Sequence, residues 1–155
     1  MGWNTSALFV KGEDGLALLE PHATATGQAV SGDVATSRFS NNVFYVAQSG
    51  QWQQIWDPSA AHVFNAKPGK DTLTAVFSSV TSTYGFILIE GGKLTRQVVF
   101  TDGELTIDEG LPLVFEATIP LPSWGPDEDW LWAIIEHVTG VTFDVDQSYA
   151  VYAYP

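Results

Sequence analysis

The amino-acid sequence predicts an α+β fold: a mainly antiparallel sheet of about six or seven strands, with one principal helix over residues 127–139 packed on it. Residues 71–101 hold three β-type runs divided by two turn signals, which predicts an antiparallel meander. The clearer turn is Glu90-Gly91-Gly92-Lys93, because glycine adopts positive φ at little steric cost. Residues 126–140 combine an acidic first turn, an apolar stripe and a terminal glycine, which indicates the helix.

The composition predicts a single globular domain over residues 1–155. Of the 155 residues, 45% are hydrophobic and 13% aromatic, so the chain can bury one sizeable core. Six Lys+Arg against eighteen Asp+Glu give a formal charge of -12, which repels phosphate backbones and anionic lipids. We therefore expect neither a nucleic-acid nor a membrane partner. The chain shows no long apolar window and no signal-peptide pattern, which predicts a soluble, cytoplasmic protein.

The first part of the chain yields one strand and a weakly marked helix. Residues 2–10 have the β-branched and aromatic content of a strand, and residues 11–15 supply a turn after it. Residues 16–20 fit either a strand or one helical turn. Ser31 is a candidate cap for a short helix over residues 32–38.

A hairpin is predicted over residues 43–57, with Ser49-Gly50 as its loop. Its register gives one buried face, made of Val43, Tyr45, Ala47, Trp52 and Trp56. The other face carries glutamines. Residues 58–70 read as a loop with a helical turn at residues 59–62.

Within the meander, an arginine falls on an apolar face. Residues 84–90 are apolar on both faces, which predicts a central strand covered on both sides. In the next strand Arg96 shares its face with three apolar residues, Leu94, Val98 and Phe100. A buried guanidinium is costly unless a carboxylate meets it, so Arg96 needs a partner. Residues 104–122 are broken by prolines and are expected to cross the sheet edge irregularly.

The helix has one apolar stripe, made of Trp130, Leu131, Ile134, Ile135 and Val138. Trp132 falls outside the stripe. Residues 147–154 read as a strand that returns to the sheet.

Residues 84–140 contain a run of residues that resembles a family of small uncharacterised bacterial single-domain proteins. The run consists of Glu90, Gly92, Lys93, Leu94, Arg96, Asp102-Gly103, Gly110, Pro112-Leu113, Phe115-Glu116, an acidic-started helix and Gly140. The resemblance implies an α+β single domain and transfers no catalytic residue.

Arg96 and Glu116 are the first candidate pair. One hypothesis is a partly buried ion pair that fixes the crossing residues to the sheet. The other is an anion-binding arginine in a cleft.

A second candidate set is an interface made of Trp124, Trp132, Asp127, Glu128 and Asp129. Periodicity buries neither tryptophan, and tryptophans beside acidic residues are common at protein interfaces. The alternative is that both indoles pack under the crossing residues.

No catalytic, cofactor or metal site is predicted. The chain has no cysteine, and its three histidines lack zinc-binding spacing. The favoured function is a non-catalytic acidic module, inhibitor-like or immunity-like, that binds a basic protein. The alternative is a small-ligand-binding domain with an aromatic pocket and Arg96 as anion anchor; a hydrolase or transferase ranks third. A homo-oligomer stays open.

Overall fold

The computed structural model describes residues 3–37, 40–67 and 69–155, and its strands form one open antiparallel sheet of nine. The strands are β1 (Asn4–Lys11), β2 (Thr24–Ser31), β3 (Val43–Ser49), β4 (Trp52–Asp57), β5 (Thr72–Ser78), β6 (Thr83–Glu90), β7 (Lys93–Thr101), β8 (Glu104–Gly110) and β9 (Ser148–Ala153). The helices are α1 (Gly32–Ser37) and α2 (Glu128–Thr139), with 3-10 turns at Gly15–Leu18, Val63–Asn65 and Glu116–Thr118. The crossing segment, residues 111–126, joins β8 to α2.

The protein is therefore mostly β, and the prediction of an α+β fold with six or seven strands is wrong. The strand order is β2-β9-β3-β4-β1-β5-β6-β7-β8, so the two unpredicted strands, β2 and β8, are the two edges of the sheet. Every residue of β8 is exposed, and so is every residue of β2 except Val30. Strand β2 consists mostly of small and polar residues, whereas β8 does carry an alternation, Leu105 and Ile107 between polar residues, which our prediction missed. Residues 104–110, expected to be irregular, form β8 and pair with β7.

Most predicted elements are present with small shifts. The meander is β5, β6 and β7, and the predicted hairpin is β3 and β4, with Tyr45 and Trp56 on one buried face as expected. Its loop is Gly50-Gln51, one residue later than predicted, because Ser49 pairs with Trp52. Residues 16–20 overlap a 3-10 turn. Of the predicted strand 2–10 and helix 32–38, Gly2 and Arg38 lie outside the described residues.

Helix α2 packs on β5 and β6 and defines the helix face of the sheet. Asp127 caps its first turn, since Asp127 Oδ1 accepts a hydrogen bond of 3.0 Å from the Trp130 amide. Gly140 ends it in the left-handed conformation, with φ of 76°. The predicted stripe points inward: Trp130, Leu131, Ile134 and Ile135 are buried. None of the described helices is long and apolar enough to span a bilayer.

The second face of the sheet is covered mainly over β1, β3 and β4. Apolar residues there pack under two 3-10 turns and Tyr154, namely Leu8, Val10, Phe44, Val46 and Ile55. The buried carboxylate of Asp57 holds one of these turns, because it accepts hydrogen bonds from the amides of Ser59, Ala61, His62 and Val63. The helical turn predicted at residues 59–62 is replaced by this arrangement.

Over β6 and β7 the second face is less covered, although Thr72 and Thr74 of the neighbouring β5 are buried. Ile87 and Ile89 are half-buried, and a hollow of about 200 Å³ lies around Gly85. The prediction that the central strand is covered on both sides is therefore wrong. The reason is that the two 3-10 turns pack on β1 and β4, and of their residues only Phe64 lines this hollow.

Truncation of Ile134 tests the inward stripe of α2. Ile134 is fully buried, so Ile134→Ala should lower the free energy of unfolding by about 2 to 5 kcal/mol. Glu136 is exposed on the same helix, and Glu136→Ala should change that free energy by under about 0.5 kcal/mol. Urea unfolding of the two variants measures both values, and equal losses would contradict the assignment of the stripe.

Candidate functional site

The negative charge is concentrated in the last part of the chain. Residues 97–155 contain eleven of the eighteen acidic residues and none of the six Lys+Arg, so they carry -11 of the net -12. Seven of these acids are exposed on β8, on α2 and on the loop before β9: Glu104, Asp108, Glu109, Asp129, Glu136, Asp144 and Asp146. The edge strand and the outer surface of the helix layer are thus strongly acidic.

Arg96 is buried, with 4% of its surface exposed, and it contacts two carboxylates. Its Nε and Nη2 each donate a hydrogen bond of 2.9 Å to Glu116, which makes the predicted pair bidentate. Nη1 donates to Asp108 and to the carbonyl oxygens of Glu109 and Gly110. The hydrogen bond to Glu116 is the main cause that raises the pKa of Arg96, so the guanidinium stays charged.

This geometry matches the ion-pair hypothesis better than the anion-site hypothesis. An added anion would meet two carboxylates and would have to displace one of them from Arg96. Glu116 also accepts a hydrogen bond of 2.6 Å from the Leu113 amide, so the pair holds the crossing segment against β7 and β8. Leu94, predicted on the face of Arg96, pairs with Ile89 across a register shift and lies on the second face.

Trp124 is the more exposed candidate anchor, with 75% of its surface accessible. The backbone of its loop packs against the β7–β8 turn, where a Cβ on Gly125 would lie 2.6 Å from Gly103 Cα. Only glycine permits this approach, and both glycines also have positive φ. The turn brings Asp102 and Glu104 to the same end of the sheet, so Trp124 projects from an acidic corner.

Trp132 is not a projecting anchor, which corrects the prediction of one patch containing both tryptophans. Its ring packs among five aromatic rings, those of Trp3, Phe9, Trp56, Phe77 and Phe143. Its Nε1 is buried and has no hydrogen-bond partner among the described residues. Trp132 lies over β4, β1 and β5, whereas Trp124 lies at the β7–β8 turn, so β6 separates them.

The three acids at the start of α2 have different roles. Asp127 is the helix cap, and Asp129 is exposed. Glu128 accepts a hydrogen bond of 3.3 Å from Tyr84 Oη. Burial, followed by the nearby charge of Glu128, raises the pKa of Tyr84 to about 12. Asp129 and, about two turns later, Glu136 are therefore the freest acids of the helix.

A buried polar network on the helix face was missed by sequence reasoning. Gln54 is fully buried; its Oε1 accepts hydrogen bonds of 2.9 Å from Trp56 Nε1 and 2.8 Å from Tyr149 Oη. Its Nε2 donates to Ser49 Oγ at 2.8 Å. Burial raises the pKa of Tyr149 to about 12. The sequence does indicate that Gln54 is buried, because the alternation of β4 puts it on the same face as Trp52 and Trp56.

Two of the three histidines, His62 and His137, take part in aromatic packing. His137 stacks on Phe115 with ring centroids 4.6 Å apart, and His62 contacts the edges of Phe44 and Tyr154. Within residues 3–37, 40–67 and 69–155, no group of three His, Asp or Glu is arranged to hold a metal ion.

Residues 52–119 match the model of a family of unknown function (DUF6928). The match starts in β4, includes the meander, β8 and Glu116, and ends before α2. The predicted resemblance to a family of unknown function is confirmed for this segment, although the sequence places it over residues 84–140. No curated protein and no solved structure matches the chain.

A double-mutant cycle tests the coupling of Arg96 to Glu116. Arg96→Met and Glu116→Gln should each lower the free energy of unfolding by about 2 to 5 kcal/mol, because the first leaves the Glu116 carboxylate without its cation and the second leaves Arg96 with Asp108 as its one carboxylate. The double variant should regain at least about 0.5 kcal/mol relative to the sum of the single losses. Urea unfolding of all four proteins gives the coupling energy.

The surface pair Lys70–Asp14, with a longer separation of 3.8 Å, is the matched control. Its own cycle, with Lys70→Met and Asp14→Asn, should show coupling below about 0.5 kcal/mol. Additive losses at Arg96 and Glu116 would show that the two residues do not interact.

Alkaline pH should weaken the fold through Tyr84. Its pKa is about 12 in the folded protein and 10.0 in an unperturbed tyrosine, so the unfolded chain releases the proton first. The stabilisation is complete below pH 10.0 and is lost as the pH rises towards about 12. Urea unfolding on both sides of pH 10.0 should show a smaller alkaline loss for Tyr84→Phe than for the parent protein. Equal losses would exclude Tyr84 as the cause.

Proposed function

We propose that this protein is a non-catalytic, acidic protein-binding module of inhibitor or immunity type, and that its partner is a basic protein. The observation that carries the proposal is Trp124, 75% exposed at the corner of a region that holds -11 of the net charge. A bacterial origin, which the sequence resemblance implies, and a cytoplasmic location belong to the same proposal.

The segment that bears Trp124 offers further apolar surface. Leu111 and Val114 of the crossing segment are 85% and 98% exposed, and Leu121 is also exposed. Aromatic and apolar anchors surrounded by charged residues are the usual composition of a protein interface. The surrounding acids on β8 and α2 would attract a basic surface and speed its association.

The alternative of a small anionic ligand anchored by Arg96 has no observation in its favour. Arg96 lines none of the clefts described in this structure, and its guanidinium already contacts Glu116 and Asp108. The protein-binding proposal uses surface that is free, whereas the ligand-binding alternative requires a side chain that is engaged.

Affinity capture followed by binding kinetics tests the proposal. The parent protein should retain a basic protein at low salt, and the association rate of the purified pair should fall steeply as salt shortens the screening length from about 10 Å at 0.1 M to about 3 Å at 1 M. Asp129→Asn with Glu136→Gln should slow association. Trp124→Ser should instead speed dissociation by about tenfold to thirtyfold, as loss of an anchor does.

Two variants serve as controls. Val80→Ser removes an exposed apolar side chain, 83% accessible, from the β5–β6 turn, and Glu90→Gln removes an exposed charge from the β6–β7 turn. Both should bind as the parent does. Failure to retain any basic protein, or an association rate that is insensitive to salt, would contradict the proposal.

A further inference from the structure

A pocket with aromatic walls and an acidic rim lies on the outer side of α2. We call it the α2 pocket; it has a volume of about 360 Å³ and is lined by Trp3, Trp132, Phe143, Glu128, Asp129, Glu136 and Thr142. It is separate from Trp124 and from Arg96, neither of which lines it. Its residues come from three parts of the chain: the residue before β1, helix α2 and the loop before β9.

Three rings that contact one another form the walls. The centroids of Trp3 and Phe143 are 5.0 Å apart at an interplanar angle of 78°, and those of Trp3 and Trp132 are 6.0 Å apart at 68°. Trp132 and Phe143 are 5.7 Å apart at 43°. Each ring is half-buried, so each keeps part of its surface towards solvent. The face of an aromatic ring carries partial negative charge and attracts a cation.

The carboxylates are placed around the same ring. Glu128 and Glu136 stand four residues before and after Trp132, and Asp129 stands three before it, so helical periodicity puts all of them on one side of α2. Among the described residues, no Lys or Arg lies within 4.0 Å of these three carboxylates. The pocket is thus negative at its rim and at its walls, and no Lys or Arg in the described part of the chain pairs with its carboxylates.

We propose that the α2 pocket receives the cationic head group of a lysine or arginine side chain. This inference rests on the proposed function, because the side chain would be presented by the basic partner. An anion is opposed by the three carboxylates, and a neutral apolar group would leave them without a counter-charge. A cation is the one class of ligand that gains from both the rings and the acids.

The test uses three amino-acid derivatives of matched shape: the Nα-acetyl amides of lysine, arginine and norleucine. Norleucine has the chain of lysine without its ammonium group. The lysine and arginine derivatives should shift the indole N–H resonances of Trp3 and Trp132 in a saturable manner, and norleucine should bind between about twofold and thirtyfold more weakly. Equal binding of lysine and norleucine, or no saturable shift with either cation, would overturn the inference.

Two conservative variants and one control identify the groups responsible. Phe143→Leu keeps an apolar wall but removes a ring face, and Glu136→Gln keeps the shape but removes a charge; each should weaken cation binding by about twofold or more. Glu90→Gln, on an exposed turn at the opposite end of β6 from Tyr84 and its partner Glu128, should leave binding unchanged. Trp132 is not substituted, because it packs in the core. An unfolded variant is recognised by its amide spectrum, and Glu136→Gln, at an exposed site, supplies the test if Phe143→Leu fails to fold.

The outcomes separate this inference from the function on which it rests. If a captured basic protein binds Phe143→Leu and Glu136→Gln as tightly as the parent, and lysine amide does not compete, the pocket assignment is overturned and the protein-binding proposal stands. If the cations bind with the expected charge dependence while no basic protein is captured, the pocket is a cation site and the proposed function fails.

Discussion

Two short helices, α1 and α2, have to cover one face of a sheet of nine strands, and much of the structure reflects that shortfall. Strands lie about 4.8 Å apart, so the sheet is roughly 40 Å wide, whereas a helix with its side chains is about 10 to 12 Å across. Helix α2 covers β5 and β6. On either side of it the cover consists of α1, of large aromatic side chains and of the crossing segment, which Arg96 and Glu116 hold against the sheet. The high tryptophan content follows from this geometry.

The same covering layer carries the charge. The crossing segment and α2, together with the neighbouring edge strand β8, hold most of the acids that follow Arg96, and Arg96 is the basic residue that faces them from the sheet. Such a layer repels itself, and the repulsion acts against the compact state. The bidentate pair of Glu116 with Arg96 reduces this repulsion from the side of the sheet. A basic partner would oppose it from outside, which connects the stability of the layer to the proposed function.

The sequence predicted local elements well and the surroundings of single residues poorly. The cap at Asp127, the end of α2 at Gly140 and the pair Arg96–Glu116 all depend on signals close in the chain or on the cost of a buried charge. The surroundings of Trp132 depend on neither kind of signal. Helical periodicity correctly places it outside the stripe that faces the sheet, but Trp3 and Phe143 cover it from distant parts of the chain. The edge strand β2 was missed for a related reason: its pairing is made by backbone groups, and its small and polar side chains leave no apolar pattern.

Strand β9 joins parts of the sheet that are made at very different times. It lies between β2 and β3, and β2 pairs with no other described strand. During synthesis β2 therefore has no hydrogen-bonding neighbour until β3 to β8 and α2 have all been made. The loop that must close to seat it is longer than a hundred residues, from Thr24 to Ala153. Such long-range pairing is slow to form, so β2 is expected to join the sheet in the final step of folding.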